Sequence, residues 1–264
     1  RPAEVTNADA YLSRMIQLIR ADGVRFPDNK VMRFRRVEPL SGGTLHAEGE
    51  CEDEGEEARL VAIVFGPQVG SISAKMVEEC LTAAYRKRIY TDIVFAGFSF
   101  DAMAQGVIQE DPNPSVRCHL SHIRPDVQMD GLLKTTQNSQ IFTVFGLPRV
   151  AKKRLSGGEW QVTMEGVDIY DPLNNSLVST KGEKVAAWFL DSDYDGRTFC
   201  TTQAFFPDPK AWEKLSKALT GVVDPERFEA FSGVTSLPFP MGKHKRAAVK
   251  VISPRGDEVL RVIP

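Results

Sequence analysis

The sequence predicts an α/β fold in which a Rossmann-like βαβ layer is followed by a strand-rich α+β half. Three observations carry that expectation. Between residues 58 and 120, short wholly apolar runs alternate with amphipathic segments, the pattern of parallel strands buried on both faces by crossover helices. Beyond residue 140 the apolar runs are closely spaced and separated mainly by turn chemistry. The length of 264 residues allows one large domain or two small ones, each with a buried core.

Taken in order, the first segment reads as a helix. Thr6 or Asn7 can cap it, Leu12, Met15, Ile16 and Ile19 recur at helical spacing, and Gly23 marks its end. Val31-Met32-Arg33-Phe34-Arg35-Arg36-Val37 mixes apolar and basic residues as a strand with one wet, positive face would. From His46 to Ala58 runs a block of acids, Glu48, Glu50, Glu52, Asp53, Glu54, Glu56 and Glu57. Like charges repel, so this block reads as a solvated linker and the best boundary in the chain, with an acidic docking surface as the alternative.

Leu60–Phe65 is an apolar, β-branched run closed by Gly66-Pro67, and Ser71 or Ser73 can cap a helix reaching about Lys87, with Met76, Cys80, Leu81 and Ala84 inward. A second strand over Ile93–Ala96, a helix near Asp101–Gln109 and a third strand over Val116–Leu120 complete the layer. Six further strands follow: Gln140–Phe145, Trp160–Met164, Lys184–Leu190, Phe199–Phe206, Ala247–Ile252 and Val259–Ile263. One helix, Pro209–Leu219, interrupts them with Trp212, Leu215 and Leu219 on one face. No internal repeat is present. The expected organisation is an N-terminal helix, basic strand and acidic linker over 1–57, a Rossmann-like subdomain over 58–150 and a β-rich subdomain over 151–264.

Hydrophobic residues make up 42% of the chain and charged residues 26%, which excludes fibrous and wholly disordered classes. No apolar run approaches the ~20 residues of a membrane span, and no signal-peptide core opens the sequence. Cys51, Cys80, Cys118 and Cys200 lack framework spacing, as expected of reduced thiols in a cytoplasmic protein. The chain starts Arg1-Pro2 without Met, as a trimmed terminus or a piece of a longer polypeptide would. Net charge is −2, yet the acidic block accounts for that balance. Without the block the chain is basic, so the net charge does not exclude a nucleic-acid partner.

Four motifs could carry chemistry. Gly66-Pro67-Gln68-Val69-Gly70-Ser71 sits where phosphate loops sit, but without Walker or dinucleotide spacing, and a strand-to-helix turn needs Gly on steric grounds alone. Asp191-Ser192-Asp193-Tyr194-Asp195-Gly196 copies the first half of a calcium loop, but Thr202 stands where the bidentate Glu belongs. It reads first as a β-hairpin with a positive-φ Asp-Gly, and second as a divalent-metal site of Asp191, Asp193 and Asp195. Cys118, His119 and His122 lack the second ligand pair that zinc requires, and neighbouring strand residues face opposite ways. Four basic groups remain: Arg33/Arg35/Arg36, Arg86-Lys87-Arg88, Lys152-Lys153-Arg154 and Lys243-His244-Lys245-Arg246. A helix C-terminus explains Arg86–Arg88. The others are candidates for phosphate-backbone contact, through Arg33, Arg35, Arg36, Lys152, Lys153, Arg154, Lys243, Lys245 and Arg246.

Several blocks occur together in a telling order: Val61-Ala62-Ile63-Val64-Phe65-Gly66-Pro67, Phe95-Ala96-Gly97-Phe98-Ser99-Phe100-Asp101, Phe142-Thr143-Val144-Phe145-Gly146, Gly166-Val167-Asp168-Ile169-Tyr170-Asp171-Pro172, the run Ala187 to Gly196, and Val249-Lys250-Val251-Ile252. This order resembles the C-terminal region of large site-specific, adenine-specific DNA methyltransferases of restriction–modification or phage-defence type, over most of residues 7–263. Those enzymes use an F-x-G-x-G loop for S-adenosylmethionine and an Asp/Asn-Pro-Pro-Tyr/Phe motif for catalysis. Neither occurs in this chain, and Asp111-Pro112-Asn113-Pro114 departs from the second at its third and fourth positions. No catalytic residue therefore carries over. The resemblance implies a non-catalytic accessory region that positions DNA or partner subunits, with S-adenosylmethionine held by a methyltransferase core upstream in the same polypeptide. A helicase or nuclease subunit is a further implied partner. The competing expectation is a metal-dependent nuclease or phosphoesterase built on Asp191, Asp193 and Asp195.

Overall fold

A computed structural model describes residues 8–51, 58–110, 113, 115–123, 141–144, 146–171, 176–209, 230–252 and 258–264. The protein is mixed α/β, with one large mixed sheet and two smaller sheets. It divides into two compact units, Arg1–Phe145 with Tyr170–Leu177 and Gly146–Ile169 with Val178–Pro264. The expected division at residue 57 falls inside the first unit, and the expected helix over 209–219 lies outside the described residues apart from Pro209.

The first unit begins with helix α1 (Ala8–Asp22), whose Met15, Ile16 and Ile19 are buried as the spacing predicts. Gly23 ends it at φ +70°, where its amide donates to the Ile19 carbonyl. The strands are β1 (Val24–Arg25), β2 (Val31–Met32), β3 (Phe34–Pro39), β4 (Ala47–Cys51), β5 (Leu60–Phe65), β6 (Asp92–Gly97), β7 (Arg117–Ile123) and β8 (Phe142–Val144). Helix α2 (Ala74–Lys87) connects β5 to β6, and α3 (Ala102–Glu110) connects β6 to β7. Strands β5, β6 and β7 pair in parallel and the remaining pairings are mainly antiparallel, in the order β2-β1-β8-β7-β6-β5-β4-β3.

That order places β2 and β3 at opposite edges, although only Arg33 separates them in sequence. Two α-carbons two residues apart lie at most about 7 Å from each other. Eight flat strands would instead hold their edges roughly 34 Å apart. The sheet must therefore curl until its edges meet, with one bent segment pairing first with β1 and then with β4. The basic run Val31–Val37 is that segment. One face of the sheet packs on α1 around Phe34, Val37, Ile63, Phe65, Val94 and Phe142, and the other packs on α2 and α3 around Val64, Ile93 and Phe95.

The acidic run is in part a strand, which corrects the expected linker. Glu48 and Glu50 lie in β4 between β3 and β5, and residues 52–57 lie outside the described residues. Glu48 accepts a hydrogen bond from the Tyr90 hydroxyl at 2.9 Å, and Glu50 faces Arg36 across the β3–β4 ladder. A strand tolerates these acids because each has a partner, Tyr90 of the α2–β6 loop for Glu48 and the arginines of β3 for Glu50.

Ser73 caps α2, accepting from the Met76 amide, and Asp101 caps α3, accepting from the Ala104 amide at 2.6 Å. The turn Gly66–Ser71 is closed by packing. Ile72 wedges between Gly66 and Gly97, the Ser71 and Ser99 hydroxyls meet at 2.8 Å, and a β-carbon on Gly66 would stand 2.7 Å from the Ile72 side chain. Steric need explains this Gly.

The second unit is strand-rich as expected. Strands β9 (Arg149–Arg154), β10 (Trp160–Asp171) and β11 (Ser176–Lys181) form one sheet in the order β11-β10-β9. Strands β12 (Ala187–Asp191), β13 (Gln203–Phe205), β14 (Ala247–Ile252) and β15 (Glu258–Ile263) form another, ordered β13-β12-β14-β15. Val162 and Met164 of β10 meet Leu190 and Val249 in a core centred on Trp188 stacked against Phe205, ring centroids 4.0 Å apart. Lys152, Lys153 and Arg154 lie within strand β9 itself. Among the described residues no helix is long and apolar enough to cross a membrane.

Gly66→Ala is expected to cost about 1–3 kcal/mol, because Ile72 has no space to yield. Gly157→Ala, whose added carbon meets nothing within 4 Å, should stay within about 0.5 kcal/mol of the parent. Urea unfolding of both variants checks the contrast.

Candidate functional site

The structure separates the residues singled out from sequence. On β3, Arg35 lies 3.6 Å from Glu50, and Arg36 lies 3.4 Å from Glu38 and 3.6 Å from Glu50. The positive face and part of the acidic run are thus neighbours on adjacent strands, each reducing the other's field. Arg33, at the bend, is exposed.

The same happens in the second unit. Asp191 is buried, and its carboxylate accepts from the amides of Asp193 and Cys200 at 3.0 and 2.7 Å. Asp193 accepts from the His244 amide at 2.8 Å and lies 3.1 Å from the imidazole Nδ1. Asp195 accepts from the amides of Arg197 and Thr198, and Arg246 donates to its carbonyl. The His244 amide, together with the imidazole charge, holds the Asp193 carboxyl below its ordinary range despite some desolvation. The amides of Thr198 and Arg197 do the same for Asp195.

Three carboxylates that could have shared an ion are each turned to a different set of backbone amides. Among the described residues, no three His, Cys, Asp or Glu side chains converge to hold a metal. The donor set does not fit a divalent-cation site as it stands. It caps a long loop between β12 and β13 in which Gly196 supplies φ +82°. The loop in turn anchors the basic segment 243–246, where Lys245 takes φ +55°. Lys243 and Lys245 remain exposed.

Strand β9 differs. It is an edge strand with Lys152, Lys153 and Arg154 all exposed. Lys152 Nζ lies 4.7 Å from the centroid of the Trp160 ring and the Arg154 guanidinium 5.9 Å from it, so one aromatic face carries two cations. Lys152 also donates to the Pro264 carbonyl. Among the described residues, neither Lys153 nor Arg154 is in an ion pair. Arg149, at the start of the strand, is engaged by Asp168 at 2.8 Å and by Ser179.

One cluster escaped the sequence reading. Asp92, the first residue of β6, is 1% exposed, and both of its oxygens are occupied. His119 Nε2 lies 2.7 Å from Oδ1, while Oδ2 takes Thr91 Oγ1 at 2.7 Å, Arg117 Nη2 at 3.0 Å and Arg59 Nη1 at 3.3 Å. Burial by itself would push this carboxyl up. The hydrogen bonds from His119, Thr91 and Arg117 outweigh it and hold the group at about 2. The residues come from the starts of three adjacent parallel strands, so they are scattered in sequence but adjacent in the sheet. An alternation of apolar and charged residues at the start of β7 was the signal available. His119 was weighed as a metal ligand and is instead a partner of Asp92.

Beside Asp92 opens a cavity of about 540 Å³, walled by Arg59, Arg117 and His119 on one side and by the β1–β2 turn on the other. Phe26 and Asn29 close that turn, with the Phe26 amide donating to Lys30 and Asn29 at φ +65°. The Phe26 ring meets His119 edge-on at 5.0 Å.

No protein-family model, curated protein or solved structure matches this chain.

Because the Asp92 carboxyl is depressed below its ordinary 3.8, its stabilising effect is full above about pH 4 and is lost as pH falls through 2. Asp92→Asn should cost about 2–3 kcal/mol at pH 7, leaving two guanidiniums without their shared acceptor. The gap between parent and variant should narrow by about 2 kcal/mol on going down to pH 2. Urea titrations of both proteins across that range measure it.

Proposed function

We propose that this chain is a non-catalytic accessory region of a site-specific DNA methyltransferase in a restriction–modification or defence system, and that it holds duplex DNA through β9. One observation carries the DNA-binding part. Of the basic groups singled out from sequence, Lys152, Lys153 and Arg154 stand together on an exposed edge strand, whereas Arg35 and Arg36 are paired with acids and His244 and Arg246 are tied to the Asp193–Asp195 loop. On an extended strand Lys152 and Arg154 share one face, about 7 Å apart, and Lys153 takes the other, so the edge offers cations that reach a phosphate backbone without base readout. Trp160 beneath Lys152 and Arg154 holds two of the stems in place.

The methyltransferase association rests on the ordered blocks from Val61 to Ile252. The parallel strands β5, β6 and β7 with α2 and α3 are read as a Rossmann-like layer acting as scaffold, since its Gly66–Ser71 turn is filled by Ile72. The methyltransferase core, in the same polypeptide, would bring S-adenosylmethionine, and a helicase or nuclease subunit would complete the assembly. The rival reading, a nuclease or phosphoesterase using Asp191, Asp193 and Asp195, needs these carboxylates to leave their amide partners.

Two measurements test this. Fluorescence anisotropy with a labelled duplex at several salt concentrations should give binding whose log–log salt slope falls by about 2 in Lys153→Gln/Arg154→Gln, one unit per phosphate contact removed. No binding at low salt, or an unchanged slope, overturns the β9 assignment. Asp193→Ala should lower the melting temperature without changing the fate of a DNA substrate in Mg²⁺. Cleavage by the parent that the variant lacks would establish the nuclease instead.

A further inference from the structure

We propose that the cavity beside Asp92 binds a 5′-phosphorylated nucleotide, with the phosphate on Arg59, Arg117 and Lys30 and the base against the Phe26 and Met32 wall. This inference is independent of the β9 reading, since it concerns another unit of the chain.

The charge pattern points to an oxyanion. Two acids line the cavity, but neither is presented to it as a free acceptor. Asp28 lies 3.4 Å from Lys30, and Asp92 is buried with both oxygens taken. Against these two acids the lining sets three cationic side chains, Arg59, Arg117 and Lys30, and the net positive charge favours an oxyanion. The buried carboxylate does not touch the ligand; it fixes the direction of the donors. Arg117 spends Nη2 on Asp92, and a guanidinium carries five N–H donors, so the rest of its fork is available to the ligand side. Donors held in place before binding lose little entropy when the ligand arrives.

Size and lining supply the second half. Phosphate alone needs only a small part of about 540 Å³, a volume within the range of small-molecule sites. The remaining lining includes Phe26, Pro27, Val31 and Met32, an apolar and partly aromatic surface suited to a flat heterocycle. The turn carrying Phe26 is braced by Arg25, which donates to the Asn29 carbonyl, and by Asp28, which accepts from the Lys30 amide at 3.1 Å. The site lies at the N-terminal ends of β6 and β7, opposite the end at which doubly wound sheets bind nucleotides. It therefore depends on the β1–β2 hairpin and not on the Gly66–Ser71 turn.

The nucleotide could be free or the 5′ end of a DNA strand, and the test has an arm for each. Isothermal titration of the whole chain is run with the four nucleoside 5′-monophosphates, with inorganic phosphate, and with a short single-stranded oligonucleotide bearing either a 5′-phosphate or a 5′-hydroxyl. At least one monophosphate, or the 5′-phosphorylated strand in preference to its hydroxyl counterpart, is expected to bind saturably. Arg117→Gln and Lys30→Gln, both at exposed side chains, should each weaken that binding about tenfold or more. No saturable binding by any nucleotide or strand overturns the proposal. So does binding that Arg117→Gln and Lys30→Gln leave intact, or inorganic phosphate binding as tightly as the nucleotides.

Discussion

The first unit depends on a chain constraint. One residue, Arg33, joins the two outermost strands of an eight-stranded sheet. A covalent link of about 7 Å between edges forces the sheet to curl, and α1 packs on one of its faces with Met15, Ile16 and Ile19. The left-handed turn at Gly23, which lets α1 reverse into β1, serves the same closure.

Closure has an electrostatic consequence. Arg35 and Arg36 are brought against Glu50, so two runs of opposite charge become cross-strand partners. Asp193 and Asp195 are tied to the segment His244–Arg246 through backbone groups, the His244 amide on the Asp193 carboxylate and the Asp195 carbonyl beneath Arg246. Charge blocks that look independent along a chain are thus partly neutralised once folded. Exposed cations are left at Arg33, at the C-terminal end of α2, at Lys243 and Lys245, on β9 and around Asp92. Asp92 shows how a buried acid can make a basic surface, since its charge is spent inward while the guanidiniums it directs stay partly exposed.

Much of this was legible in the sequence. The apolar runs 60–65 and 93–96, and the cap Ser73, were readable because burial on both faces and amide capping leave local signatures. Strand β4 was not, since its acids are tolerated by partners on β3 and α2–β6 that lie elsewhere in the chain. Strand β9 was not, because an exposed edge strand has no apolar alternation to report. The Asp92 cluster was invisible for a third reason. Arg59, Asp92, Arg117 and His119 meet only through strand register, and no spacing in the sequence encodes which strand ends lie side by side.

The sequence by itself therefore determined the mixed α/β class, helices α1 to α3, the buried strands and the presence of the basic groups. These follow from local periodicity and capping, which act over a few residues. Tertiary structure alone decided that the sheet closes at Arg33, that Asp191, Asp193 and Asp195 cap a loop instead of converging, and that a cavity opens beside Asp92. Those outcomes depend on long-range pairing, where residues tens of positions apart are placed within 3 Å of one another by sheet register and packing.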